Sequence, residues 1–430
     1  MSLLKKQNAI CLKQILNLVY KRGLQKFLNK GKNMRKKFEY VMLLLAVLGV
    51  LAANTELRAA DTHDYGFYWF DANNQSTDAV NSSGVPNTVS TAFYDPAKPT
   101  VFYFHGWQKG TSVQNYSRET FLYADPTTKT NVNTVAKWKA DGWNVAIFYW
   151  NQMADEDEVK DAEAKIWSTS GPKGMRYRLN TGAYGTALTP TKSVSALALA
   201  EYTALMANYK GTEIRFAGHS LGSQLATNLA KLVSDYVAAN TTKAFLMPKR
   251  LELLDPYWSK DGKSYFGDVY GSTYASCNPA TKDGKLDWNA EVVRCHIYNM
   301  INKNGLLVTW YKTSAIFDLW VGDQNTPLES IVALQNPASY WLNATDQTNK
   351  HVWARHLYFY SKIVSPNDVM PKECTISGTG TRTATGKITI YANTPSTRVK
   401  EMMGNTYYWT QVEGRNTPNP NDDWYERKTR

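Results

Sequence analysis

The sequence predicts an α/β fold, in which a mostly parallel central sheet carries helices on both faces. Apolar runs with almost no polar alternation are typical of strands buried on both faces. They cover 100–104, 142–150, 213–217 and 250–254. Segments with apolar residues at helical spacing lie at 193–209 and 220–236. Strands that alternate with helices in this way form parallel βαβ units. We also expect strands at 65–70 and 291–298 and a helix at 353–363.

The first 60 residues differ in charge from the rest of the chain. They contain twelve Lys or Arg and two acidic residues, and so hold +10 of the net charge of +12. The remainder is nearly neutral, which gives no indication of a nucleic-acid partner. A basic stretch from Met34 precedes the apolar run 41–53, which is the layout of a secretory signal peptide. We therefore expect a secreted, periplasmic or extracytoplasmic protein; an uncleaved membrane anchor at 41–53 is the alternative.

Composition divides the chain into three parts. The leader covers 1–60, with translation expected to start at Met34, and the predicted sheet places the main domain at 61–365. Residues 366–430 are rich in Thr, Gly and Tyr, with short apolar runs at 387–391 and 406–412. These runs predict a small C-terminal β appendage that ends in a loose tail.

The cysteines give one structural expectation. In an exported protein, Cys277 and Cys295 are close enough in sequence to bridge a short loop, which leaves Cys374 over. Their spacing fits no zinc site, and we expect neither a metal nor a cofactor.

The strand at 213–217 and the helix at 220–236 are joined by Gly218-His-Ser-Leu-Gly222. A strand can turn this sharply into a helix only where the flanking residues lack bulk, as the two glycines do. The turn raises the Ser220 hydroxyl above the sheet edge, near the N-terminus of the following helix. Because a serine hydroxyl alone is a weak nucleophile, this motif predicts a base and an oxyanion pocket nearby. An idle serine in an ordinary turn is the alternative.

A nucleophilic serine needs a histidine base and a carboxylate that orients the histidine. Asp255 follows an apolar strand and precedes a proline, so we expect it at the same sheet edge as Ser220; Asp268 is the alternative acid. His351 and His356 follow the acid along the chain, and Ser, acid, His is one of the known orders of this triad. We favour His356, at the start of a predicted helix, and keep His351 as the alternative.

Two backbone N–H groups must stabilise the charge that develops on the substrate oxygen. Leu221, directly after the nucleophile, supplies one. The loop after the strand 100–104 supplies the other, which we assign to Trp107. Gly106 lets this backbone approach the substrate, and His105 is expected to orient the loop rather than to act as the base.

Four motifs together resemble those of the pancreatic-type lipase family, which includes phospholipases A1, over about residues 100–363. They are His105-Gly-Trp107, Gly218-His-Ser-Leu-Gly222, Leu254-Asp-Pro256 and His356-Leu-Tyr-Phe-Tyr360. The resemblance implies an α/β-hydrolase fold and hydrolysis of carboxylic esters of lipids by Ser220, Asp255 and His356.

Three functions are consistent with these residues. The first is an exported hydrolase that acts on a lipid ester at an interface, with transient contact with a membrane or lipid surface. The second is a soluble esterase or thioesterase for small substrates. The third is a lipid- or sugar-binding protein on a catalytically dead scaffold. The aromatic segment 306–349 is predicted to form a lid or an acyl-contacting rim, with ordinary core as the alternative.

Overall fold

The computed structural model describes residues 64–430 apart from several gaps. The gaps are 115, 127, 187–188, 270–285, 317–321, 364–372, 377–379, 384–391, 405, 414–417 and 421–422. The chain divides into two units, Met1–Thr62 and His63–Arg430, and every described residue belongs to the second. The predicted leader, its start at Met34 and the apolar run 41–53 lie outside the described residues. Within the described ranges, the helices are all too short or too polar to cross a bilayer.

Strands and helices alternate through most of the described chain. The strands are β1 (Gly66–Phe70), β2 (Ser76–Asp78), β3 (Thr100–Phe104), β4 (Leu122–Ala124), β5 (Asn131–Asn133), β6 (Asn144–Tyr149), β7 (Tyr177–Arg178), β8 (Tyr184–Gly185), β9 (Ile214–His219), β10 (Arg250–Leu254), β11 (Leu307–Tyr311), β12 (Ala333–Asn336), β13 (Glu373–Ile376), β14 (Gly380–Thr383), β15 (Tyr407–Glu413) and β16 (Trp424–Thr429). The α-helices are α1 (Thr134–Ala140), α2 (Asn151–Ala154), α3 (Val159–Trp167), α4 (Val194–Leu205), α5 (Leu221–Ala239), α6 (Asn289–Asn304), α7 (Thr326–Glu329), α8 (Gln347–Tyr360) and α9 (Ser396–Met402). Short 3-10 helices cover Thr241–Leu246, Ser264–Val269 and Ser361–Ile363.

Ten of these strands form one sheet in the order β16-β15-β12-β11-β10-β9-β3-β6-β1-β2. The seven strands from β15 to β6 are parallel, whereas β1 pairs antiparallel with β6, and the edge strands β2 and β16 pair antiparallel with β1 and β15. This topology, with helices on both faces, is that of the α/β-hydrolase fold, and it confirms the predicted fold class. The carboxyl ends of β3, β9 and β10 lie side by side, because Phe104 pairs with Gly218 and Leu254 with His219. We call this edge the rim.

Alternate residues of the strands pack into two separate cores, one on each face of the sheet. Phe102 and Phe104 of β3 face the core that is covered by α4, α5 and α6. Val101 and Tyr103 face the opposite core, which is covered by α1 and α8. This two-sided burial explains why the central strands lack polar alternation.

The predicted strand at 291–298 is wrong, because these residues lie in helix α6. Every residue from Asn289 to Ile297 is buried, whether apolar or polar, so the helix lacks the alternation of apolar and polar faces that normally reveals one. Gly305 ends the helix in the left-handed conformation (φ 66°), a stop signal that a strand would not need. Cys295 on this helix is disulfide-bonded. Cys277, its predicted partner, lies outside the described residues.

The C-terminal residues contribute to the central sheet as well as to a separate hairpin. β13 and β14 form a two-stranded antiparallel sheet of their own. β15, predicted at 406–412 as part of an appendage, instead pairs in parallel with β12, and β16 completes that edge of the central sheet. The predicted strand at 387–391 lies outside the described residues.

The first part of the predicted lid is also wrong, since Leu307–Tyr311 is strand β11 of the sheet and Trp310 is fully buried.

Glu201 of α4 lies near the end of the sheet formed by β1 and β2. Its carboxylate accepts a hydrogen bond from Phe67 N of β1 (2.9 Å). Burial raises the pKa of Glu201 to about 7, and the nearby carboxylates of Asp78 and Asp64 act in the same direction. Because the unfolded chain has the lower pKa, ionisation of Glu201 destabilises the fold above about pH 7. This penalty disappears as the pH falls towards the unfolded value of 4.5.

We expect Glu201→Gln to raise the free energy of unfolding at pH 8.5 by about 2–3 kcal/mol and to leave it nearly unchanged at pH 4. Glutamine still accepts the Phe67 N–H bond but carries no charge. Denaturant titration at the two pH values measures the difference. Glu158→Gln, which removes an exposed carboxylate, is the control and should change little at either pH. A Glu201→Gln variant that is no more stable than wild type at pH 8.5 contradicts the prediction.

Candidate active site

Ser220 is held in a strained backbone conformation between β9 and α5. Its φ of 55° and ψ of −125° are unfavourable for a residue with a side chain. The two motif glycines make this turn possible. A Cβ on Gly218 would collide with the carbonyl of Gly222, and one on Gly222 would collide with the carbonyl of Phe104. The strand therefore ends, and the helix begins, within one residue of Ser220, as the G-x-S-x-G motif predicts.

Asp255 lies beside Ser220 because it directly follows β10, the strand paired with β9. Its carboxylate is fully buried. Oδ1 accepts hydrogen bonds from the backbone N–H groups of Thr313 (2.8 Å) and Ser314 (3.1 Å), and Oδ2 accepts one from the Ser314 hydroxyl. These donors, which follow β11, were not singled out from the sequence. They compensate the buried charge and fix the carboxylate's orientation. The alternative acid, Asp268, lies in the 3-10 helix Ser264–Val269 rather than at a strand end.

The histidine that contacts Asp255 is His351, and the structure does not support the preference for His356. His351 Nδ1 lies 2.7 Å from Asp255 Oδ2. Because a carboxylate oxygen accepts, Nδ1 carries the proton and Nε2 is left free to accept one. His356 lies five residues further along α8, which rotates it by about 140° around the helix axis, away from Asp255. Its ring packs instead against Tyr123 (4.6 Å) and Trp353 (6.1 Å).

His219, the residue before the nucleophile, contacts the same histidine. Its Nε2 donates to the backbone carbonyl of His351 (3.0 Å), and the two rings lie 4.6 Å apart. Burial and the neighbouring His351 hold the pKa of His219 well below its ordinary value, so this ring stays neutral. His219 therefore connects the N-terminal half of α8 to the turn that carries Ser220.

The loop after β3 passes directly over Ser220. A Cβ on Gly106 would lie 2.7 Å from Ser220 Cβ and 3.0 Å from the carbonyl oxygen of His219, so only glycine fits without displacement. His105 sets the direction of the next peptide group. Its Nε2 accepts from Trp150 N (3.1 Å), which leaves Nδ1 to donate to the carbonyl of Gly106 (2.9 Å). Burial lowers the pKa of His105 to about 4, so the ring keeps this neutral form.

This hydrogen bond also orients the N–H of Trp107. In a trans peptide the carbonyl and the following N–H point in opposite directions. The Gly106 carbonyl points at His105, and the Trp107 N–H therefore points away from that ring. Over the described residues, neither the Trp107 nor the Leu221 backbone N–H has a protein acceptor. Both groups predicted for the oxyanion hole are available as donors.

We call residues 106–112, which contain the predicted oxyanion donor Trp107 N, the oxyanion loop; this loop is hydrogen-bonded to residues 154–157 at the end of α2. Trp107 Nε1 donates to the carbonyl of Glu156 (2.8 Å), and Gln108 N donates to that of Ala154 (3.2 Å). The Asp155 carboxylate accepts from the backbone N–H groups of Gly110 (2.7 Å) and Ser112 (2.9 Å). Sequence analysis missed these hydrogen bonds between the two segments. The only indication of them in the sequence was the acidic run 155–158 that comes shortly after a predicted strand.

We expect Gly106→Ala to lower kcat by about 10²–10³-fold, the usual effect of losing one oxyanion donor. The added methyl group would push the loop, and with it the Trp107 N–H, away from Ser220. Ester hydrolysis by the folded variant measures the effect. Gly171→Ala is the matched control, because its Cβ would also meet a neighbouring atom at 2.7 Å, but on Ala164 of α3. Equal kcat losses in the two variants contradict the assignment.

Among the described residues, no group of three or more His, Cys, Asp or Glu side chains could hold a metal ion. No protein-family model and no curated protein matches the chain.

Several solved structures of hydrolases show a weak likeness. A thioesterase domain from the curacin biosynthetic pathway is 12% identical, covering 60% of this chain and 82% of that one, with a TM-score of 0.23. Est1E of Butyrivibrio proteoclasticus with bound ferulic acid is 11% identical over 50% and 69% of the two chains, with a TM-score of 0.21. LpqC, a poly(3-hydroxybutyrate) depolymerase of Bordetella parapertussis, is 10% identical over 62% and 72%, with a TM-score of 0.26. At these scores the likenesses carry no argument about the reaction.

Proposed function

We propose that this protein is a serine hydrolase of carboxylic esters, with Ser220 as nucleophile, His351 as base and Asp255 as the orienting acid. The observation that carries the proposal is the hydrogen bond between Asp255 and His351 at the rim, beside a serine held in the strained turn. A buried carboxylate that fixes one imidazole nitrogen leaves the other free for proton transfer.

Each residue has a defined step in this reaction. Ser220 Oγ attacks the ester carbonyl carbon while His351 Nε2 takes its proton. The N–H groups of Trp107 and Leu221 donate to the oxygen that becomes negative. The protonated His351 then gives its proton to the leaving alcohol, and an acyl-enzyme remains. Water, deprotonated by the same imidazole, releases the acid and restores Ser220.

The finer proposal is that the ester belongs to a lipid and that the enzyme acts at a lipid surface. The three motifs at Trp107, Ser220 and Asp255 that resemble the pancreatic-type lipase family support it, whereas the fourth does not, because its His356 lies away from Asp255. The signal-like layout of 34–53 supports an exported enzyme, and an uncleaved anchor is the alternative.

One observation favours the second candidate, a soluble esterase or thioesterase. The sequence predicts a lid or an acyl-contacting rim in 306–349, but residues 307–311 form β11 and residues 333–336 form the largely buried strand β12. The aromatic residues of β11 thus belong to the core. Among the described residues of this segment, Tyr340 is the large apolar side chain that is exposed (45%), and the predicted lid residues 317–321 lie outside the described residues.

Labelling with a fluorophosphonate tests the reaction class. Wild-type protein should be labelled, whereas Ser220→Ala should not; Ser223→Ala, which alters the next serine along the chain, in α5, should still be labelled. Equal labelling of Ser220→Ala would show that Ser220 is not the nucleophile, and an unreactive but folded wild type would support a dead scaffold. Rates on dispersed triacylglycerol, phospholipid vesicles and short soluble esters then separate the lipid substrate from the small one.

A further inference from the structure

Glu119 is a buried carboxylate that none of the steps above uses. Its side chain is 14% exposed and lies between the oxyanion loop and β4. Burial alone would favour the neutral acid, but the Arg355 guanidinium and the hydrogen bond from Tyr103 hold the pKa of Glu119 down to about 2. Glu119 is therefore a permanent negative charge close to three functional elements.

Three side chains converge on this carboxylate, each from a different part of the site. Gln108 Nε2 donates to Oε1 (2.6 Å), and Gln108 directly follows Trp107 in the oxyanion loop. The Tyr103 hydroxyl donates to Oε2 (2.7 Å), and Tyr103 is the residue before the last one of β3. Arg355 of α8 contacts the same Oε2 through its guanidinium.

Arg355 connects this cluster to the base. It follows His351 by four residues on α8, so the two side chains lie on one face of the helix, a turn apart. A second contact fixes the guanidinium, because Arg355 Nε donates a hydrogen bond to His356 Nε2 (3.2 Å). Burial, and then the Arg355 charge, hold the pKa of His356 well below its ordinary value, so this ring is neutral and can accept.

We propose that Glu119 and Arg355 are positioning residues, which together fix the distance between the oxyanion loop and the helix that carries His351. The inference rests on the proposed function. The carboxylate accepts hydrogen bonds from Gln108 and Tyr103 and at the same time forms an ion pair with Arg355. The cluster therefore defines a geometry that a purely apolar contact would leave loose. Neither residue touches the reacting atoms.

The test compares Glu119→Gln, Arg355→Met and the double variant on a soluble p-nitrophenyl ester. We expect each single variant to lower kcat by about 10²-fold with KM changed less than threefold, because catalysis is sensitive to displacements of about 1 Å. The double variant should be no worse than the worse single one, since both changes break the same connection. Arg355→Lys, which keeps the charge but not the planar fork, should recover only part of the loss.

A matched buried ion pair provides the control. The charged groups of Arg250 and Glu252 of β10 lie 2.7 Å apart, and their side chains are 1% and 0% exposed. Arg250 is the first residue of β10, and Asp255 follows the last one. Glu252→Gln should lower stability without lowering kcat of the folded enzyme. If Glu119→Gln fails to fold, Gln108→Ala and Tyr103→Phe each remove one contact without leaving an unpaired charge, and each should lower kcat about tenfold.

The outcomes separate this inference from the reaction itself. If wild type reacts with a fluorophosphonate but Glu119→Gln or its substitutes match it in both labelling rate and kcat, the positioning role is overturned and the reaction stands. A kcat loss in Glu252→Gln as large as in Glu119→Gln also overturns it, since the effect then reflects general loss of a buried ion pair. A wild type that does not react at all refutes the proposed function.

Discussion

Replacing His351 by alanine is expected to lower kcat by about 10⁵–10⁶-fold, with little change in KM. Removal of the base from a serine triad costs this much because the hydroxyl can no longer lose its proton as it attacks. In this chain no other described histidine takes that place. His219 already donates its Nε2 proton to the backbone of His351, and His105 is fixed by Trp150 and Gly106.

His356→Ala is the comparison that makes this prediction specific. The two histidines lie on the same helix, and a general loss of α8 would affect both variants alike. We expect His356→Ala to lose only about tenfold, through the looser Arg355. Steady-state hydrolysis of a soluble ester, with circular dichroism to confirm folding, measures both. A larger loss in His356→Ala than in His351→Ala would restore the histidine that the sequence favoured.

The choice between the two histidines shows where sequence reasoning reached its limit. The helix was predicted from 353, whereas α8 begins at Gln347 after Asp346, whose carboxylate accepts from Asn349 N (3.1 Å). His351 was thus placed in a loop and His356 at the helix start. Helix ends are set by capping and tertiary contacts. Because each helical residue rotates the side-chain direction by about 100°, an error of several residues in the helix start changes which residues are predicted to face the site.

Ser220, Asp255 and Trp107 were easier to place because topology alone brings them together. Parallel strands end at one edge of a sheet, and residues within a few positions of the ends of β3, β9 and β10 lie along that edge. That argument needs only the identity and direction of the strands. The buried apolar runs supplied both, and the structure confirms the mostly parallel sheet.

Glu119 could not have been found in this way. It lies in an irregular segment, and its partner Arg355 follows it by more than two hundred residues. No periodicity or motif connects two such positions, because the contact depends on how α8 packs on the sheet. α6 was misassigned for a related reason: deep burial on several sides removed the polar face by which a helix is recognised.

Asp255→Asn is expected to lower kcat by about 10⁴-fold while the protein remains folded. Asparagine tolerates the positive φ of this position (45°), and its oxygen can still accept from Thr313 N and Ser314 N. Its amide group then faces His351 Nδ1 as a donor. The imidazole must then adopt the tautomer with Nδ1 unprotonated and the proton on Nε2. In this tautomer Nε2 cannot accept the proton of Ser220.

Ser314→Ala distinguishes this tautomer effect from a general weakening of the acid's surroundings. It removes the hydroxyl that donates to Asp255 Oδ2 but leaves the charge and both backbone donors in place. We expect a loss of about tenfold or less, against 10⁴ for Asp255→Asn. Fluorophosphonate labelling should slow in the same ratio, since it needs the same activated hydroxyl. If the two variants lose equally, Asp255 acts only as part of a packed hydrogen-bond cluster, and the protonation state of His351 is controlled elsewhere.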